Sequence, residues 1–320
     1  MKRNIITTCI VVVLCLVLFV SIFNIFKISS KPYDNEATFS SKIINRNGVK
    51  YYPKQDIVTL LLMGIDRQGK VQSSGSYLNY GRADFVSVLV FNETEKCLDV
   101  LQLNRDTITD IQVLGVNGLP AGKVKAQLAL AHTYGTGLND SCENVKKAVS
   151  DLLYSLDINY YLSLNTNTVQ LVNNKLGGIK VNVTDDFSAV EPFIPMGEVV
   201  LTDEQALAFV SHRVDIADQL NISRMNRQNE FLKGLFASIN QNVNINTDFM
   251  LNLYNDISDY IVTDISSGSL SNFANDFANY KLRNIYTPLG ENVLGDEFYE
   301  FYINSEDLDK TILKLFYSEK

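Results

Sequence analysis

The stretch DFVSVLVFNETEKCLDVLQLNRD, residues 84 to 106, decides how this chain folds. Asp84 to Phe91 and Leu98 to Leu103 are runs of strand length, apolar on both pleat faces, and only Asn92-Glu93-Thr94-Glu95-Lys96 separates them. So short a polar link predicts an antiparallel hairpin. Strands with apolar residues on both faces predict a sheet covered on both sides. The pairing has a chemical consequence. Arg82 and Asp84 stand two apart at the start of one strand and share a face, while Arg105 and Asp106 close the partner strand and come level with them.

Working outward, Ile57 to Met63 is another apolar run and leads into Gly64-Ile65-Asp66. If it runs parallel to the strand ending at Leu103, Asp66 reaches the same edge. Downstream, Cys142–Leu153 has helical spacing, Asn159–Leu164 reads as a strand and Val169–Leu176 as a helix. Gly177-Gly178 then opens a strand over Ile179–Val183, and a long helix runs from about Arg224 to Ile239. Helices alternating with strands indicate an α/β protein, a layered α-β-α domain around a central mixed, partly antiparallel sheet. We assign it residues 54–245. Residues 246–320 follow a helix, strand, helix pattern that ends in an amphipathic segment near Leu308–Phe316, and are expected to be an α/β appendage packed on the domain.

The N-terminal side is of another kind. Ile5 to Phe26 is almost wholly apolar and carries no ionised group before Lys27. At about 1.5 Å per residue, roughly 22 residues reach about 33 Å, enough to cross a hydrocarbon core of about 30 Å. No A-x-A cleavage pattern follows, so an uncleaved transmembrane anchor over 5–28 is expected, after a short cytoplasmic tail, 1–4. Lys2 and Arg3 are balanced by Lys27 and Lys31, so charge alone fixes the orientation weakly. Polar, irregular residues 29–53 read as a stalk.

Composition narrows the chemistry. With 46% hydrophobic and 20% charged residues the chain can bury a core, and a formal charge of -8 argues against a nucleic-acid surface. Cys9 and Cys15 lie in the anchor, so Cys97 and Cys142 allow one disulfide at most. There is no C-x-x-C pair, and His132 and His212 are the only histidines, which excludes a thiolate or multi-histidine zinc site.

Five charged residues, Asp66, Arg82, Asp84, Arg105 and Asp106, thus converge at the ends of three buried strands. One such pair alone would read as a surface ion pair; five favour a site. Two aspartates about 4 Å apart repel by about 4 kcal/mol at an effective dielectric of 20. A divalent cation removes that cost, and oxygen donors without histidine favour magnesium or manganese. A second cluster lies on the long helix. Phe231, Leu235 and Ile239 mark its inward stripe, which Arg224, Arg227 and Gln228 extend to the first turn, where amides and arginines can hold phosphate. The competing reading is an ion-paired helix start, with Asp218 as partner. Arg213 lies near the end of a helix beginning around Asp203. His132, alone on a helix flank, is read as structural.

The fragments Leu61-Leu62-Met63-Gly64-Ile65-Asp66, Arg82-Ala83-Asp84, Asn104-Arg105-Asp106-Thr107, Leu128-Ala129-Leu130-Ala131-His132-Thr133-Tyr134-Gly135, Leu176-Gly177-Gly178-Ile179 and Arg224-Met225-Asn226-Arg227-Gln228 occur in this order. Together they resemble the LytR-CpsA-Psr family, from about Asp56 to Ala237. The resemblance implies an extracellular catalytic domain on a single-pass cell-membrane anchor. It also implies transfer of an anionic glycopolymer, teichoic acid or capsular polysaccharide, from a polyprenyl pyrophosphate carrier to peptidoglycan. By the same resemblance Asp66 and Asp84 hold magnesium, and Arg82, Arg105, Arg213, Arg224, Arg227 and Gln228 hold the pyrophosphate. Arg105 and Asp106 are the expected catalytic pair, Asp106 either orienting Arg105 or acting as base. Ser211 departs from the family, which often has arginine there. Two rival expectations are a pyrophosphatase acting on the same lipid-linked saccharide and a non-catalytic envelope regulator. The loop Arg67–Gly81 is expected to form one wall of the site.

Overall fold

The computed structural model describes residues 41–217 and 220–319. The expected tail, anchor and first part of the stalk lie outside the described residues, as does Asp218. Among the described residues no helix is long and apolar enough to cross a membrane.

The chain begins with a hairpin, β1 (Ile44–Arg46) and β2 (Val49–Pro53), turned at Asn47-Gly48, both at positive φ. An Asn-Gly pair adopts that turn with little strain. The expected stalk is therefore structured in its last ten residues. The strands expected from the three apolar runs follow as β3 (Ile57–Ile65), β4 (Ala83–Asn92) and β5 (Cys97–Leu103). An exposed hairpin comes next, β6 (Ile108–Leu114) and β7 (Pro120–Gln127), then a 3-10 turn over Leu128–Thr133 and the helix α1 (Asn139–Leu152). β8 (Tyr160–Asn165), α2 (Asn167–Lys175), β9 (Lys180–Val183) and β10 (Gly197–Val200) lead to α3 (Asp203–Ser211). A capping box starts α3: Gln205 N donates to Thr202 Oγ1 at 3.3 Å and Thr202 N to Gln205 Oε1 at 3.0 Å. The long helix α4 (Asn221–Ile245) precedes α5 (Phe249–Ile257), β11 (Ile261–Thr263), α6 (Ser267–Phe277) and β12 (Lys281–Tyr286). The chain closes with the hairpin β13 (Gly290–Leu294) and β14 (Tyr299–Ile303), then α7 (Ser305–Phe316) and β15 (Tyr317–Glu319).

The central sheet has the order β11-β8-β3-β4-β5-β12. It is mixed: β3 pairs antiparallel with β4 and β4 with β5, while β8 runs parallel to β3 and β12 parallel to β5. Because β4 reverses between them, β3 and β5 point the same way, which the convergence of Asp66 with Arg105 requires. The pleat divides β3 between two cores. Ile57, Leu61, Met63 and Ile65 pack under α1 and α7, and Val58, Leu60 and Leu62 pack under α4 and α6. Both faces are covered, as apolar runs without a polar face demand.

The C-terminal residues are not an appendage. β11 and β12 are the two edge strands of the central sheet, Ile312 and Phe316 of α7 are fully buried in its core, and β15 pairs with β2. The sequence pattern identifies these elements but not their partners, because β11 and β12 are short and half exposed and carry no long apolar run. Cys97 and Cys142 are both buried free thiols, so no disulfide joins them.

Candidate active site

The three strand ends meet as their register requires. Asp66, just past β3, holds Arg82: the Arg82 backbone N donates to Asp66 Oδ1 at 2.6 Å and its Nε to Oδ2 at 2.8 Å. Burial works against the charge on Arg82, but Asp66, with the fields of Asp84 and Asp106, outweighs it and raises its pKa. Asp84, at the start of β4, takes two arginines. Arg105 Nη1 donates to its Oδ1, and Arg224 Nη1, reaching across from α4, to its Oδ2 at 3.1 Å.

Behind these arginines stands an amide array that the sequence reading missed. Arg224 Nε and Nη2 both donate to Asn221 Oδ1, at 3.1 and 2.6 Å. Asn221 Nδ2 donates to Asn104 Oδ1 at 2.7 Å, and Asn104 Oδ1 also accepts from the Asp106 backbone N at 3.0 Å. The Asp106 carboxylate is 3% exposed and receives Arg105 Nε at 3.2 Å and Gln127 Nε2 at 3.1 Å. So held, it fixes the guanidinium of Arg105 in place. A signal for this array was present in β5: Leu98 and Val100 point into the apolar core under α4, and Gln102 and Asn104 continue the same face with buried amides.

Beneath this charged rim lies an apolar slot of about 200 Å³. Its walls are Leu62 of β3, Leu164 of β8, Val169 of α2, Val210 of α3, and Phe231 and Leu235 of α4, while Asp66, Asp84 and Arg224 stand among the residues that line it. No pattern in the sequence separates this slot from packed core, since its wall residues carry ordinary inward helix and strand spacing. Burial lowers the pKa of Arg224, and the neighbouring charges of Arg105 and Arg213 push the same way against the field of Asp84. An anion arriving at the mouth relieves that cost.

The other expected site residues fall differently. Arg213 lies beyond the end of α3 and is exposed, close enough for its field to reach Arg224. Gln228 lines the slot with its amide engaged, donating to Val210 O at 3.1 Å and accepting from Gln102 Nε2 at 3.0 Å. Arg227 does not line the slot. Its Nε donates to Phe209 O at 2.9 Å, its Nη1 to Asp185 Oδ2 at 2.5 Å and its Nη2 to His212 O, with its guanidinium over the Phe187 ring. These bonds tie the end of α3 to α4, a structural role in place of the expected phosphate clamp. Ser211 lines the slot and donates to Leu207 O at 2.6 Å.

The loop 67–81 is also not a wall of the slot. It roofs a separate cavity of about 150 Å³ lined by His132, Ser163 and Tyr260 among others. Asn79 pins it, donating to His132 O at 2.7 Å and to Gly135 O and Ser141 Oγ at 3.0 Å. As for a metal, among the described residues no three His, Cys, Asp or Glu side chains gather as a cage. Asp66 and Asp84 are two all-oxygen donors on one cleft, the number a magnesium ion takes from protein when phosphates and water complete its shell.

The chain matches the LytR_cpsA_psr family over residues 20–314. It belongs to that family. Among curated proteins it is similar to the polyisoprenyl-teichoic acid–peptidoglycan teichoic acid transferase TagU of Bacillus mycoides, at 28% identity over 60% of this chain and 56% of the relative. It is also similar to TagU of Enterococcus faecalis, at 25% identity over 80% of this chain and 75% of the relative. The matched stretch thus spans little more than half of the first of these. Among solved structures, TagT of B. subtilis shares the fold with a TM-score of 0.61 at 21% identity, over 89% of this chain and 97% of that one. A structure of TagT bound to LI-WTA gives a TM-score of 0.62 over the same shares, at 20% identity. The layered α/β architecture with its central mixed sheet is that of the family.

Proposed function

We propose that this protein moves an anionic glycopolymer, teichoic acid or capsular polysaccharide, from a polyprenyl pyrophosphate carrier to peptidoglycan. One observation carries the reading: an apolar slot opens at a rim where Arg105 and Arg224 share the carboxylate of Asp84. A slot of carbon takes in hydrocarbon, and clustered guanidiniums donate to phosphate oxygens in bidentate fashion. A molecule with both parts, an isoprenoid tail on a pyrophosphate, satisfies both. The names of the relatives agree with it.

In the transfer, a peptidoglycan hydroxyl attacks the sugar-linked phosphorus. A new P–O bond forms, the bridging P–O bond to the carrier breaks, polyprenyl monophosphate leaves and the hydroxyl proton is released to solvent. Such reactions ask the protein for positioning and charge neutralisation. Arg105 and Arg224 supply charge, with Arg82 and Arg213 at the rim, and Asp106 keeps Arg105 aimed. Asp66 and Asp84 would hold a magnesium ion, which would supply positive charge to offset their carboxylates; Arg105 and Arg224 are then left to donate to phosphate. In this reading the 5–28 segment is a single-pass anchor in the cell membrane, which places the slot outside, on the surface that holds the carrier. Sharing that surface raises the effective concentration of carrier and enzyme.

The test combines purified protein, labelled polyprenyl-pyrophosphate-linked polymer and peptidoglycan, with and without Mg²⁺. We expect polymer joined to the wall through a phosphodiester, lost in Arg105→Ala. Released phosphorylated saccharide without acceptor would make the protein a pyrophosphatase. Full complementation of a deletion by both Asp84→Ala and Arg105→Ala would make it a non-catalytic regulator.

A further inference from the structure

The β13–β14 hairpin is fastened directly to the active site. Phe301 N donates to Asp106 O at 2.9 Å, and Phe301 bridges in parallel to Thr107. Gln127 Nε2, which bonds Asp106 Oδ1, also donates to Tyr299 O at 2.7 Å. An unbroken chain of hydrogen bonds therefore runs from Arg105 through Asp106 and Gln127 to this hairpin. Direction follows from the same contacts. Thr107 leads into β6 and the bridge to Phe301 is parallel, so the residues preceding Phe301 lie on the side of that bridge from which Arg105 and Asp106 arrive.

Those residues are unlike a protein surface that faces only water. Leu294, Phe298 and Tyr299 are 68%, 66% and 46% exposed. The turn between the strands carries Asp296 and Glu297, both exposed. Aromatic faces covering C–H surfaces, with carboxylates accepting hydroxyl and amide hydrogens, suit an uncharged ring-shaped polyol. The same carboxylates repel a polymer of phosphodiesters or an anionic bilayer.

We propose that the tip of β13–β14 is the acceptor subsite, which holds the uncharged glycan backbone of peptidoglycan, a chain of N-acetylated sugars, beside Arg105. The proposal rests on the transferase reading and names the surface that the acceptor uses. Gln127 is a positioning residue that keeps this surface and Arg105 in register.

The experiment is co-sedimentation of the full-length protein, in detergent micelles, with insoluble peptidoglycan stripped of attached polymer. The double variant Phe298→Ala, Tyr299→Ala should bind it about tenfold more weakly, as loss of an aromatic anchor does at other interfaces, and should bind the lipid-linked donor unchanged. Phe298→Trp should keep the binding, which shows that a face is needed there and that the hairpin is intact. Gln127→Ala should lower kcat for transfer and leave KM for the glycan in place. Wild-type sedimentation of the double variant overturns the proposal. So does a loss confined to binding of phosphatidylglycerol vesicles, which would make the tip a bilayer contact. Failure of the wider reading looks different: transfer indifferent to Arg105→Ala, with glycan binding still dependent on Phe298 and Tyr299.

Discussion

At the mouth of the slot Arg224 is bonded to two side chains, the carboxylate of Asp84 and the amide of Asn221; one turn further along α4, Arg227 is bonded mainly to backbone, the carbonyls of Phe209 and His212. The two are equally buried, 4% and 3% exposed, and they carry the same charge on the same helix. What differs is whether the partner can turn away. Side-chain partners can re-form their bonds around an arriving phosphate, whereas carbonyls at the end of α3 are fixed by the chain. Of two arginines that look alike in the sequence, one is available to a ligand and the other holds two helices together.

The comparison breaks most sharply at Arg227. Arg227→Ala leaves the Asp185 carboxylate and two carbonyls without their donors, so it should cost about 3–5 kcal/mol of stability, the usual effect of removing one partner of a buried pair. Urea unfolding measures it, and turnover per folded molecule should stay within a few-fold of wild type. A normally stable variant that fails to bind the lipid-linked donor would return Arg227 to the phosphate site. Arg224→Ala should do the reverse. Asp84 keeps Arg105, so the unfolding midpoint should move little, while transfer falls about 10²–10³-fold, as when one donor to a developing anion is deleted. A large loss of stability with unchanged transfer would make Arg224 a second structural lock.

Smaller effects test the wall that carries both arginines. α4 lies against β9 through Gly234, where an added Cβ would run into the Lys180 carbonyl and come within 2.7 Å of Ile179 Cγ2. Gly234→Ala should therefore destabilise by about 1–3 kcal/mol despite alanine's better helix propensity. Because the helix would be pushed off β9 while Arg224 stays anchored to β4, Arg227 should be disturbed first. Thermal melts of Gly234→Ala in wild-type and Arg227→Ala backgrounds measure the coupling, and strict additivity would show the two sites to be independent.

How much of this the sequence discloses depends on whether a feature follows from a local period. The β3-β4-β5 core, its antiparallel hairpin and the convergence of Asp66, Arg82, Asp84, Arg105 and Asp106 all follow from pleat alternation and one short turn. The edge strands β11 and β12 do not, because they are half exposed and their partners β8 and β5 lie far along the chain, and the hairpins β6–β7 and β13–β14 do not, because their strands are mostly exposed or half-buried and carry no long apolar run. The slot is illegible for another reason. Leu62, Val210 and Phe231 sit where core residues sit, and only the relative placement of α3, α4 and the sheet leaves space between them. The roles of Arg224 and Arg227 separate at the same level, by what the end of α3 brings against the helix.

The smallest effect concerns the opposite side of the site, where the backbone of Arg82 is reached through Gly81. His132 is 2% exposed, and its Nδ1 lies 2.9 Å from Gly81 O, a carbonyl that can only accept, so Nδ1 carries the proton in the neutral ring. Burial holds its pKa below the ordinary 6.5; the Gly81 carbonyl and the fields of Asp66 and Asp140 oppose this, and Arg67 adds to it. The unfolded chain therefore takes up this proton at a higher pH than the native protein does. The stabilisation is complete above pH 6.5 and is lost as pH falls from there through the lower native value, at about 1.4 kcal/mol for each unit by which the two differ. His132→Gln has no such proton to bind, so between pH 7 and pH 5 its melting temperature should fall less steeply than that of wild type. Parallel slopes would mean that the ring titrates alike in both states, and that the anchorage of Gly81 beside Arg82 is insensitive to pH where that of Arg224 and Arg227, with guanidiniums charged throughout, has to be.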